Sequence, residues 1–412
     1  MSLDVNLSEP DEFNCFELHS AIKKVSDIVG INNCKYHVDY LNDYGYIANI
    51  FRVILTEDGS DKNVSVIVKT LINTARKELF RELHYREVKA YVNVIEEFQL
   101  LQNEIESENR IVLPKCLYYC NDKGNEVLIL EDLLVDGYEV NETLSMNIKL
   151  NFLQVSSIIS ELAKFHGLSY VFASKRSDFD EISKDFHDIL FQESFLGKSK
   201  LKNYFVESFD MSLNVIDNMD IKEQLESLRP KLLRLLQMFL EPKKYSVFCH
   251  GDFWINNILF KEQKQCQSLC LLDFQAMRYA NPATDIVYFL YICTDSAFRS
   301  EYFEQLLDVY YNSLKSFLSL FCIEANTVYP YEEFVKDLNE NKKLGLLIAL
   351  LELRIVAFVP DDKTSRELMA SELDLTKLPD DENIFQNKIN DVITESVSNG
   401  VINELISIAC EL

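Results

Sequence analysis

The spacing of apolar positions changes once along this chain, and the change divides it in two. From about residue 36 to 131 apolar and polar residues tend to alternate, the pattern of half-buried strands. Tyr36 to Leu41 and Ile50 to Leu55 are predicted strands on either side of the turn-like Asn42-Asp43-Tyr44-Gly45-Tyr46. Val64, Val66 and Val68 alternate along a third strand, which puts Lys69 on its opposite face. A charged helical stretch, Arg76 to Phe98, follows and carries Glu87. Leu117 to Cys120 and Val127 to Leu130 read as a hairpin about Asn121-Asp122-Lys123-Gly124-Asn125.

Beyond about residue 140 the spacing becomes helical. Val155, Ile158, Ile159, Leu162 and His166 form one stripe, and His166 is expected to be a satisfied core histidine. Two short apolar runs interrupt the helical part, Tyr245 to Cys249 and Leu269 to Leu272, while Pro230 and Pro360 mark kinks or boundaries. No internal repeat or low-complexity tract is visible. The pattern predicts an α+β chain of two parts, residues 1–133 with an antiparallel sheet and one helix, and residues 134–412, larger and mainly helical.

Length and charge narrow the function. A chain of 412 residues with 48% hydrophobic content has enough apolar surface for an extensive interior. Its net charge of -25 argues against nucleic acid or an anionic membrane as a partner. The acidic start, Met1 to Leu18, lacks the apolar core of a signal peptide, and Leu344 to Val359, broken by Glu352 and Arg354, suits a buried helix better than a membrane span. The ten cysteines show no secreted-domain pattern and are read as reduced thiols of a cytoplasmic protein. Cys116/Cys120 and Cys266/Cys270 have no histidine at ligand spacing, so no zinc site is expected.

The chemistry is carried by His250-Gly251-Asp252-Phe253-Trp254-Ile255-Asn256-Asn257, followed by Leu271-Leu272-Asp273-Phe274. In an HxDxxxxN segment one carboxylate can meet a substrate hydroxyl, and an amide oxygen five residues on can meet a metal. A later Asp at a strand end supplies a charged metal ligand. Phosphoryl transfer needs these parts, because it asks for positioning and charge neutralisation rather than covalent chemistry. Asp285 then opens the apolar run Ile286 to Leu290. Lys69 on the third strand, with Glu87 eighteen residues on, fits a cation for the α/β-phosphates and its anchor. Gly45 stands alone where a phosphate-binding loop would hold several glycines.

With Leu130-Glu131-Asp132-Leu133, Leu162-Ala163-Lys164-Phe165-His166 and Leu272-Asp273-Phe274-Gln275, these segments resemble the ecdysteroid kinase-like group of insects over roughly residues 36 to 330. That group sits with choline kinases and aminoglycoside phosphotransferases in the protein-kinase-like fold. The resemblance implies a bilobal enzyme that uses ATP and Mg²⁺, with Asp252 as catalytic base, Asn257 and Asp273 as metal ligands, and Lys69 paired with Glu87. It further implies that Glu131 to Leu133 present backbone to adenine. A protein kinase is disfavoured: Gly251 precedes Asp252 where Arg would stand, Gln275 replaces the Gly of Asp-Phe-Gly, and no Ala-Pro-Glu follows.

The acceptor is therefore expected to be a small hydroxylated molecule, by likeness an ecdysteroid or similar lipophilic alcohol. The 27 Phe and 20 Tyr suffice to line an apolar cleft, to be sought between about residues 170 and 245. Asp252 needs only an ordinary carboxylate pKa near ~4 if it orients the hydroxyl and takes the proton late. A kinase fold that binds ligand without transferring phosphate, or a choline or aminoglycoside-type kinase, are the alternatives.

Overall fold

The structure, a computed structural model, describes residues 18–41, 48–71, 77–140, 150–198, 201–262, 267–357 and 382–412. The first lobe is a five-stranded antiparallel sheet of β1 (Cys34–Tyr40), β2 (Ala48–Glu57), β3 (Asn63–Leu71), β4 (Cys116–Cys120) and β5 (Val127–Glu131), in the order β1-β2-β3-β5-β4. Period-two alternation sorts its side chains between two interiors. Phe51, Val53 and Leu55 of β2 and Val66 and Val68 of β3 enter a small core under α1 (Leu18–Ile28). Ile67 and Lys69 take the other face, Ile67 against the main core and Lys69 toward α2 (Lys77–Ala90). Helix α1 is an addition to the one helix the pattern predicts here. Its buried residues Leu18, Ala21, Ile22 and Val25 have helical spacing.

The helix carrying Glu87 is not uniform. After α2, residues Tyr91–Ile95 form a π-helical turn before α3 (Glu96–Leu101). Such a turn admits an extra residue, and here it buries Tyr91 against Phe274, edge to face with ring centroids 5.6 Å apart. The linker after β5 is pinned by Asp132. Its buried carboxylate accepts from Arg52 Nε at 2.8 Å, Ser65 Oγ at 2.6 Å and the Leu134 N–H at 3.0 Å.

The second lobe is mainly helical and packs around the largest apolar cluster. Its long helices are α4 (Phe152–Lys175), opened by a capping box at Asn151, α11 (Ser296–Ser319) and α13 (Tyr331–Ala357). The described part of the run from Leu344 is buried in α13, as its interrupted hydropathy suggests. Pro230 lies in a short 3-10 turn at Arg229–Lys231, whereas Pro360 lies outside the described residues. Among the described residues no helix is long and apolar enough to cross a membrane. Between these helices sit β7 (Val247–Cys249), β8 (Ile258–Glu262), β9 (Gln267–Leu271) and β10 (Arg278–Ala280). Strand β7 pairs with β10, and β8 with β9, so the segments around Asp252 and Asp273 run side by side.

Candidate active site

Backbone bonds fix the loop between β7 and β8. Asp285 in α10 (Ala283–Cys293) is fully buried and accepts from the N–H groups of His250 at 2.6 Å and Gly251 at 3.0 Å. Burial works against its charge, but the hydrogen bond and charge of His166, with the charges of His250 and Arg278, hold its carboxyl below the usual range. His166 bonds both Tyr310 Oη (2.8 Å) and Asp285 Oδ2 (3.2 Å), so it is satisfied within the core while also bracing the support of this loop. Arg278 grips the loop from the other side. Its Nη2 donates to the Gly251 carbonyl at 2.9 Å and its Nη1 to Asp188 at 3.2 Å. Gly251 has φ +86° and lies so close to Ala276 that an added Cβ would sit 2.0 Å from its carbonyl oxygen.

Leu272 joins this loop to the next one. Its N–H donates to the Asn257 carbonyl at 2.9 Å and its carbonyl accepts from His250 Nε2 at 2.8 Å. Asp273 follows directly, in the left-handed region at φ 66°, ψ 68°. This conformation is uncommon for a residue with a side chain, though Asp tolerates it better than most. The two carboxylates and the amide that the sequence singles out are thus set on one braced unit.

Asp252, Asn257, Asp273, Lys69 and Glu87 converge. Asn257 Nδ2 donates to the Asp252 carbonyl (2.8 Å) and to Asp252 Oδ2 (3.1 Å), and Tyr288 Oη donates to Asp252 Oδ1 (3.0 Å). Lys69 Nζ lies 2.7 Å and 2.8 Å from the Glu87 carboxylate oxygens and 3.1 Å from Asp273 Oδ1. Burial alone would discharge Lys69, but Asp273 and Glu87 outweigh it and raise its pKa, so it stays a cation. Glu87 is pushed up, because burial and then Asp273 oppose its charge by more than Lys69 and the Phe274 backbone N–H favour it. Asp252 is also raised, by burial first and then by Asp273. The sequence reading required no more than an ordinary carboxylate here, and it could not show how deeply the group is enclosed.

The donor set suits a hard divalent cation. Both donors of the Asn257 amide go to Asp252, which leaves its carbonyl oxygen available, and the Asp273 carboxylate is 29% exposed in the same cleft. Oxygen ligands of this kind fit Mg²⁺, which usually takes only one or two protein carboxylates and completes its shell with phosphate and water. A second group with ligand spacing, His166, Cys249 and Asp285, is fully buried and otherwise committed. Burial keeps the Cys249 thiol protonated and it donates to the Ala280 and Asn281 carbonyls. A cavity of about 460 Å³ beside Tyr170, Arg176, Lys244 and Tyr279 contains none of the converging residues.

The adenine-facing backbone expected at Glu131 to Leu133 is partly committed. The Glu131 N–H donates to Lys115 at 2.9 Å, and the Leu133 carbonyl accepts from Tyr138 at 3.2 Å. Gly45, with Tyr46 and Ile47, lies outside the described residues. Arg278 and Tyr288 escaped the sequence reading. No motif marks them, since each acts through a partner distant in sequence. Within the segment searched for an acceptor pocket, Tyr204 on α7 (Leu201–Asn214) hydrogen-bonds Glu352 of α13, whose carboxyl feels the charge of Asp252.

Among solved structures, the chain is similar to a Plasmodium vivax ethanolamine kinase, at 12% identity over 88% of this chain and 81% of that one, with a TM-score of 0.39. It is similar to a microcompartment-associated aminopropanol kinase at 10% identity, 93% and 99% coverage and a TM-score of 0.44. An aminoglycoside-3'-phosphotransferase of type VIII gives 14% identity, 78% and 99% coverage and a TM-score of 0.31. Likenesses this remote say nothing about the acceptor. Comparison with curated proteins returned no match. The profile of the ecdysteroid kinase-like family matches residues 43–322, well over half of the 412 residues and spanning every converging side chain, so the chain belongs to that family.

Proposed function

We propose that this protein is an ATP- and Mg²⁺-dependent phosphotransferase acting on a hydroxyl of an ecdysteroid or similar lipophilic alcohol. The observation that carries the reading is the meeting, in one cleft, of Lys69, Glu87, Asp252, Asn257 and Asp273 from both lobes. Lys69, held charged and oriented by Glu87, is placed to bind phosphate oxygens of the nucleotide. Asn257 and Asp273 would hold Mg²⁺, which when bound supplies charge neutralisation on those oxygens.

Asp252 is the base. Tyr288 and Asn257 fix both of its carboxylate oxygens in orientation, while each oxygen keeps a lone pair for the acceptor hydroxyl. The acceptor oxygen bonds to the γ-phosphorus as the bond to the bridging oxygen breaks. ADP leaves with that electron pair, and the hydroxyl proton passes to Asp252. Its raised pKa assists, because a more basic carboxylate takes the proton more readily. The linker at Asp132 and Leu133 is the natural boundary between lobes 1–133 and 134–412, and the buried free thiols Cys249 and Cys270 suit a cytoplasmic setting.

Incubation of the protein with γ-labelled ATP, Mg²⁺ and separate samples of ecdysteroids, choline and an aminoglycoside tests this reading. Label is expected in an ecdysteroid product. Transfer to choline or the aminoglycoside alone would replace the acceptor assignment, and nucleotide binding without transfer to any of them would make this a binding protein.

A further inference from the structure

Three helices bring side chains toward Asp252 from beyond the reach of the motifs. Tyr288 of α10 bonds Asp252 directly. Helix α13 packs tightly on α10 because Gly345 has no side chain: a Cβ there would lie 2.5 Å from the Tyr291 ring. Seven residues further, two helical turns along the same face, stands Glu352. Tyr204 of α7 donates to Glu352 Oε2 at 3.5 Å. The titratable groups that face this carboxyl are Asp252 from the catalytic loop, Tyr204 from α7 and Tyr288 from α10. Glu352 lies outside residues 43–322, so the family match assigns it nothing.

Burial, then the charge of Asp252, pushes the Glu352 carboxyl up to about 8, with Tyr204 offsetting only part of the rise. At neutral pH it keeps its proton and stands beside the base as a hydrogen-bond donor. A hydroxyl or carbonyl oxygen can accept that bond, and an ammonium group cannot. We propose that Glu352 selects and positions the acceptor, donating to a second oxygen of an uncharged, polyhydroxylated molecule while the reacting hydroxyl lies at Asp252. This rests on Asp252 as the base. Glu352 touches neither the phosphoryl group nor the transferred proton, so it is a positioning residue.

The test uses the sole tryptophan, Trp254, two residues past Asp252, as a fluorescent reporter. Ecdysone and choline are titrated separately into wild type, Glu352→Ala and Glu352→Gln, at pH about 6.5 and about 9, either side of the Glu352 transition. Wild type is expected to bind ecdysone and to lose about tenfold in affinity at the higher pH, where Glu352 gives up its donor. The Ala variant should bind about tenfold more weakly at the lower pH, whereas the Gln variant, a neutral donor throughout, should keep its affinity and lose the pH step. The Gln arm stands by itself if the Ala variant folds poorly. Absence of ecdysone binding in wild type, preference for choline, or a Gln variant that behaves as Ala would overturn the proposal. Asp252→Asn should still bind ecdysone without transferring phosphate. Transfer by that variant would refute the base assignment and leave the Glu352 result standing.

Discussion

Asp252 and Asp273 occupy their places because the backbone beneath them is held by buried groups. Asp285 and Arg278 clamp opposite sides of Gly251, and His250 and Asn257 both bond the backbone of Leu272. Gly251→Ala tests the tightness of this seat. A non-glycine residue in the left-handed region costs roughly 1–2 kcal/mol, and here the Cβ also collides with the Ala276 carbonyl. Urea unfolding should show a loss of at least about 2 kcal/mol, with phosphoryl transfer falling further than stability explains. An unchanged midpoint and rate would mean that the loop is free to move. At this scale the HxDxxxxN and Leu-Asp-Phe segments were legible because their chemistry is written in adjacent residues. Arg278, Tyr288 and Glu352 were not, since an arginine gripping a carbonyl 27 positions away looks in sequence like any other arginine.

Among elements, the strands of the first lobe followed from alternation, and the sheet order they adopt sets Lys69 opposite Glu87. Helix α1 was not legible because its apolar stripe of Leu18, Ala21, Ile22 and Val25 is short and is interrupted by polar and charged residues. The π-helical turn at Tyr91–Ile95 leaves no periodic signature, since it shifts the register within a single helix. Helix α2 makes a pH prediction. His84 is 7% exposed, and burial first of all depresses its pKa to about 4, with Nε2 3.2 Å from the Cys120 carbonyl. The unfolded chain takes up this proton near the ordinary value of about 6.5 and the folded protein does not. The neutral imidazole is therefore no burden above that pH, and stability falls as pH drops from about 6.5 toward about 4, by up to about 3 kcal/mol. Denaturant midpoints across this window should show a shallower decline for His84→Gln than for wild type. Parallel curves would place the acid sensitivity elsewhere.

For the whole molecule, composition bounded the answer without supplying it. On the proposed function a net charge of -25 makes Lys69 more consequential, since an anionic nucleotide would approach an anionic protein and need a local cation. If the nucleotide binds across both lobes with its metal, thermal denaturation should shift upward with ATP and Mg²⁺ together. At one hundred times the dissociation constant the stabilisation is about 2.7 kcal/mol, and chelation should remove most of it. The same shift with ATP in excess chelator would contradict the roles given to Asn257 and Asp273. Every other role proposed for the site depends on Asp252 acting as the base of phosphoryl transfer. Its most direct test is label transfer from γ-labelled ATP by wild type and by Asp252→Asn, with nucleotide affinity measured on the same samples. In the Asn variant transfer is expected to be abolished and nucleotide affinity largely kept; turnover that survives there would contradict the role of Asp252.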